Sequence, residues 1–412
     1  MTTMPVRDRV EATLRGWDGY ERRRGATPVI DYDCAPLDPA APSPAPATSR
    51  FAVLAELTAV ADELAAVADG PDCRADDRLR ARVDADIAYL RAMLGERLPL
   101  TDYIRRTQGC GAAGWPDDHL AEVGDRARTS LAGLGVDWDD RLPGRLARAE
   151  GILRRQDVPD AIEQAAAELE PQVRAATGTS APYQLTIERV DVDAYWSYWL
   201  DGAGSAARLR LNRQRAEFTE TQARVFALHE VLGHALQSAS WYAEWSTVDD
   251  GVVRLLSVHT NTQVLLEGLA QALPLFVIGD DAAAVARVRL THYTQLVRAG
   301  LHRAIDDGVP VADCVAWARQ RVPFWSDEEI GDALTDRGVD PQLRSYLWAY
   351  PAGVDWFVAL ADRGGVETGA AVLRAAYQGP LAPADLAALW PTGPTIGGTG
   401  HPDAVDRVAR HV

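Results

Sequence analysis

From residue 51 to about 177 the apolar positions recur at helical spacing. Phe51–Ala68, Asp76–Leu94, Asp117–Leu134 and Pro159–Thr177 are rich in Ala, Leu, Arg and Glu, and Gly and Pro separate them. The period changes near 182. Tyr183–Val190 (YQLTIERV) and Ala207–Leu211 (ARLRL) alternate apolar with polar positions, and Tyr195–Leu200 (YWSYWL) leads into the turn Asp201-Gly202-Ala203-Gly204. This predicts a small antiparallel sheet set into a helical chain. The helical period returns after 219, with capping-box starts at Thr219/Gln222, Thr260/Gln263 and Ser326/Glu329. Residues 35–48 are Ala/Pro-rich and predict a linker or an extended segment wrapped over the body. The Gly/Pro/Thr-rich tail after Pro391 predicts irregular structure. The expected fold is mostly α and two-lobed. It comprises an N-terminal extension and linker (1–49), a helical lobe (50–180), a second lobe holding the sheet (181–390) and an irregular tail (391–412).

Composition narrows the function. The 412 residues carry 42 Lys+Arg against 59 Asp+Glu, a net charge of −17, and every basic residue is Arg. With no Lys there is no P-loop, no kinase-type lysine, no Schiff base and no Ser-Lys dyad. The acidic balance argues against nucleic-acid and anionic-membrane partners. Four Cys without a CxxC pair fit a reducing compartment and offer no thiolate zinc cluster. No apolar leader opens the chain, and the apolar run Val264–Ile278 is short and carries Glu267 and Pro274. The expectation is a cytoplasmic protein.

The chemistry centres on His229-Glu230-Val231-Leu232-Gly233-His234, an HExxxH pattern inside a helical stretch. In a regular helix positions five apart diverge by about 140°, at 100° per residue. Both imidazoles reach one ion only if the helix carries an extra residue, as in a π-turn. Gly233 is where such a distortion is cheapest. Imidazoles suit Zn²⁺, and Glu230 is placed to act as general base on water. Glu267, flanked by Val264, Leu265, Leu266 and Leu269, is the preferred third ligand, because a buried carboxylate needs a charge partner. Gly268 beside it is expected to admit the metal helix. His259, Glu244, Asp249 and Asp250 are weaker alternatives. Gly109–Gly114 fits GxGxxG but follows no strand and opens no helix, so it reads as a loop, expected near the mouth of the site.

HEVLGH resembles the HELLGH-type motif of the dipeptidyl peptidase III family. The wider layout is similar to a bacterial family of zinc peptidases with the pattern HExxPGHxxQ, EGWA, GLH and PGQ. The matching pieces here are HEVLGHALQ (229–237), EGLAQ (267–271), LVRAGLH (296–302) and YPAGVDWF (350–357), and the run 194–212 resembles that family's preceding strand and loop. The resemblance covers roughly residues 182–360. It implies a metallopeptidase-like fold of the gluzincin type, with His229, His234 and Glu267 as zinc ligands and Glu230 as catalytic base. The Pro before the Gly, an acidic residue near GLH and the Gln of PGQ are replaced here, which leaves the metal motif intact and changes the substrate side.

Supporting groups follow from position. Tyr346 and Tyr350, before a PAG turn, or His302 would stabilise an oxyanion. His292, Gln295, Ala299 and His302 share one helix face. Arg298 would bind a substrate carboxylate, and His292 would line the substrate site. The strand 205–212 would take an extended substrate by β-augmentation. Trp196, Trp199, Trp241, Trp245, Trp325, Trp348 and Trp356 cluster in the same half, mostly as core. Three functions follow: a zinc hydrolase of peptide or amide bonds, the same metal scaffold acting on a small molecule, and a non-catalytic metal-binding protein.

Overall fold

The computed structural model describes residues 4–38, 45–66, 73–193, 197–245 and 252–400. It is mostly α-helical, and the helices form close to where the apolar period puts them: Arg50–Ala66, Cys73–Met93, Asp117–Gly133 and Val158–Thr177. An earlier helix, Val6–Arg23, buries Val10, Leu14 and Trp17 against Val53, Leu57, Val83 and Leu90, in an N-terminal core closed by Val253 and Leu255. The Ala/Pro-rich segment lies on this helix where it is described, with Ala47 N–H donating to the Gly16 carbonyl at 2.7 Å.

The apolar core parts between Met93 and Leu100. Leu100, Ile104, Trp115, Leu120, Ile162 and Leu169 belong to the same core as Leu232, Leu265, Leu296 and Trp356. An apolar stripe shows that a helix must be buried, but not against what.

Five strands form one sheet: β1 Tyr32–Asp33, β2 Gln184–Val190, β3 Tyr198–Ala203, β4 Ala206–Asn212 and β5 Leu255–Leu256, in the order β2-β4-β3-β1-β5. β3 and β4 are the antiparallel hairpin that the alternation predicts, turning at Gly204 with φ +60°. The rest differs. β4 inserts between β2 and β3 and runs parallel to β2, β1 runs parallel to β3, and β5 pairs antiparallel with β1. The sheet is therefore mixed rather than antiparallel. Alternation sets which face is buried and leaves the partner open, and β1 and β5 are too short to show a period. Because β4 has a partner on both edges, it cannot accept a substrate as an added strand, contrary to the expectation for 205–212.

The capping boxes at Thr219 and Ser326 form. The one expected at Thr260 does not: its hydroxyl donates to the Ser257 carbonyl at 2.8 Å, and the helix Gln263–Val277 starts after Thr262. The PAG segment is no turn but lies inside the helix Pro341–Arg363, which runs through Pro351. The Gly109–Gly114 loop is tied to the irregular segment 391–400, with Gly111 N–H donating to the Ile396 carbonyl and Gly114 N–H to that of Gly397. Among the described residues no helix is long and apolar enough to cross a membrane.

Candidate metal centre

The HExxxH helix changes its winding at the motif. Glu220–Phe226 is α, Ala227–Ala235 is π, and Leu236–Trp245 is α again. The wider π-turn supplies the extra residue that a five-residue spacing demands. His229 Nε2 and His234 Nε2 face each other at 3.1 Å, with the rings at 86°. Gly233 allows this turn to lie against the next helix. A Cβ there would stand 2.7 Å from the Leu228 carbonyl oxygen and 3.1 Å from the Ala270 Cβ.

Glu267, in the helix Gln263–Val277, completes the group. Its Oε2 is 3.4 Å from His229 Nε2 and its Oε1 is 3.8 Å from His234 Nε2. Glu230 Oε1 stands 3.6 Å from His229 Nε2. Gly268 serves a different contact from the expected one. It faces the helix Pro341–Arg363, where its Cβ would be 2.5 Å from Gly353 Cα. The metal helix is approached through Gly233 instead.

The charges are unevenly held. Burial acts to raise the Glu267 carboxyl, but the two imidazoles and the Tyr346 hydroxyl outweigh it and hold it at about 2. Burial pushes His234 down to about 4, so it is neutral at pH 7. Burial also opposes charge on His229, yet Glu267 and Glu230 raise it. Burial, with the Glu267 charge beside it, pushes the Glu230 carboxyl up to about 7. Glu267 Oε2 is buried without a hydrogen-bond partner, a costly arrangement unless a cation completes it. Two imidazole nitrogens and a carboxylate oxygen converging on one point are a donor set that fits Zn²⁺.

Tyr346 and Tyr350 stand one turn apart on the helix Pro341–Arg363. Tyr346 donates to Glu267 Oε1 at 2.6 Å, and its oxygen is 2.7 Å from the Tyr350 hydroxyl. Tyr346 is thus engaged in orienting Glu267, as outer partners of metal ligands are, and is not a free oxyanion donor. Both tyrosines line a cleft of about 390 Å³ that opens onto His229, Glu230, His234 and Glu267.

Other expected site residues lie elsewhere. His302 is fully buried, its ring edge-on to Trp348 at 5.5 Å, and does not line the cleft. Arg298 stacks over the Trp325 ring at 4.9 Å, outside the cleft, and is unavailable as a carboxylate clamp there. His259 bonds to Asp86 at 2.8 Å and stacks on Tyr89. Glu244 is exposed, and Asp249 and Asp250 lie outside the described residues. His302 and Arg298 share a helix, and their side chains pack against Trp348 and Trp325 instead of the cleft. Tyr198 on β3 is not among the expected site residues, yet it lines the cleft and its hydroxyl reaches Glu230. Its only signal is the aromatic run 195–200.

His292 is not a substrate residue either. It bonds Asp355 Oδ1 at 2.9 Å, as does His119 at 2.8 Å, while Trp115 Nε1 donates to Oδ2. This network ties together the helices Asp117–Gly133, Ala282–Asp306 and Pro341–Arg363. Burial acts to raise the Asp355 carboxyl, and the two imidazoles outweigh it and hold it well below the carboxylate range. Asp355→Asn should therefore cost about 3 kcal/mol in urea denaturation at neutral pH, since it strips a buried network of its charge. A depressed carboxyl contributes its stability above the unfolded pKa and loses it as pH falls, so the gap between wild type and variant should shrink below pH about 4. A loss under about 1 kcal/mol would show that the network adds no net stability.

No family model matches the chain, and no curated protein matches it. Among solved structures it is similar to a "putative lipoprotein" from Colwellia psychrerythraea, with a TM-score of 0.50 at 11% sequence identity, over 88% of this chain and 60% of that one. The chain thus spans 60% of the length of that protein, and at this identity the likeness is one of fold alone.

Proposed function

We propose that the protein is a cytoplasmic zinc-dependent hydrolase acting on a peptide or amide bond. The observation that carries this reading is the π-turn that brings His229 and His234 to 3.1 Å beside the orphaned Glu267 Oε2. His229, His234 and Glu267 would hold the ion. Zinc supplies a Lewis acid that polarises a carbonyl and acidifies water. The remaining work falls to the chain. Glu230, with a carboxyl near 7, is suited to accept a proton from water at Oε1 and to return it to the leaving group. Tyr198 steadies Glu230, and Tyr346 steadies Glu267. Tyr350 gives its hydroxyl proton to the Tyr346 oxygen, because Tyr346 gives its own to Glu267, and would serve as an oxyanion donor by turning that proton toward substrate. Cys34, Cys110 and Cys314 are buried free thiols, which supports a reducing compartment.

Glu230→Gln should keep its zinc and lose about 10²- to 10⁴-fold in hydrolysis, the usual contribution of a general base. The measurement is mass-spectrometric profiling of a peptide library, with zinc content read on the same protein. Wild-type rates in Glu230→Gln would overturn the hydrolase reading and favour a non-catalytic metal protein. A second reading, the same centre acting on a small molecule, is favoured by the internal position of β4, which removes the strand edge expected to take an extended chain. Zinc-loaded protein that cleaves no peptide would decide for it.

A further inference from the structure

The cleft wall carries four carboxylates, Asp31, Glu230, Glu267 and Asp340, and no Arg among the described lining residues. The chain has no Lys, so among the described lining residues neither Lys nor Arg faces what binds there. Three of the four carboxylates are engaged. Glu267 bonds Tyr346, Glu230 meets Tyr198, and Asp340 caps the helix Pro341–Arg363 by accepting from Leu343 N–H at 2.9 Å. Asp31 is not. Its backbone is fixed just before β1, with its N–H donating to the Leu256 carbonyl at 2.9 Å. Its Oδ2 is shielded from solvent and has no hydrogen-bond partner. Burial pushes its carboxyl up to about 7, against the Val258 N–H that favours the charged form. A buried acceptor left unpaired costs about 1–3 kcal/mol, and it persists where a ligand completes it.

We propose that Asp31 binds a protonated amino group of the substrate, so that the cleft selects amine-bearing molecules over neutral or anionic ones. An ammonium offers three donors and a charge. Trp199 and Tyr32, which also line the cleft, give it aromatic surface. The net charge of −17 favours the approach of cations. That the bound molecule is a substrate rests on the hydrolase reading; that an amine binds does not.

The test is calorimetric titration at neutral pH with phenethylamine and with neutral N-acetylphenethylamine, on wild type and on Asp31→Asn. The amine should bind wild type at least about tenfold more tightly than its acetylated form, as a charge-assisted contact requires, and Asp31→Asn should abolish the preference. Equal affinities in wild type, no binding of either probe, or a preference kept by Asp31→Asn would overturn the proposal. The wild-type comparison needs no variant, so a folding defect in Asp31→Asn leaves it decisive. Zinc measured on the same protein separates the two readings. Amine preference without zinc uptake sinks the hydrolase and keeps the amine site, and zinc without amine preference does the reverse.

Discussion

Protein carrying His234→Ala should purify with less than about a tenth of the zinc found in wild type, because one of three protein donors is gone and the others cannot close the site. Glu267→Ala should lose zinc as well, and all hydrolysis should go with it. Tyr346→Phe is the finer test. It keeps the ring against Tyr350, at 5.2 Å between centroids, and removes the hydroxyl with its 2.6 Å bond to Glu267 and its 2.7 Å bond to Tyr350. Loss of such an outer partner weakens metal binding by about 10- to 100-fold, so Tyr346→Phe should bind zinc when it is supplied and lose it to a chelator that wild type resists. The measurement is elemental mass spectrometry on protein made without added metal, then a competition titration. Wild type that carries no transition metal and takes none up would mean that the two histidines are structural. Full zinc in His234→Ala would mean that the ion sits elsewhere.

Gly353→Ala should destabilise the protein by more than about 3 kcal/mol, beyond the usual cost of an overpacked core. A Cβ at 353 would lie 2.2 Å from the Val264 carbonyl oxygen and 2.7 Å from Gly268 Cα. Both obstacles are backbone, so no rotamer change relieves them and the helices Gln263–Val277 and Pro341–Arg363 would have to part. Those helices carry Glu267 and the Tyr346–Tyr350 pair, so the variant that still folds should also bind zinc less tightly. Gly331→Ala is the control. It is exposed in the helix Asp327–Val339, and its Cβ would meet nothing within 4 Å. It should stabilise by about 0.5–1 kcal/mol through helix propensity alone. Urea midpoints read both effects. An unchanged midpoint for Gly353→Ala would show that the helix contact is looser than described.

The chain's own order determined what depends on neighbours within a turn or two. The 3.6-residue period placed the helices, and alternation placed β2 and the β3–β4 hairpin. A five-residue His spacing required a π-turn if both rings were to face one point, and the helix is π there. A carboxylate among Val264, Leu265, Leu266 and Leu269 marked Glu267 as one that needs a partner, and it lies beside both imidazoles. Tertiary packing decided the rest, because periodicity tells that a face is buried and not what buries it. It sent His292 to Asp355, stacked Arg298 on Trp325, and shut His302 into the core. It put β4 between two partners. It brought Asp31 and Tyr198 to the cleft from opposite sides of the helical region 50–180, a juxtaposition that no local pattern records, since it follows only from how β1, β3 and β5 meet.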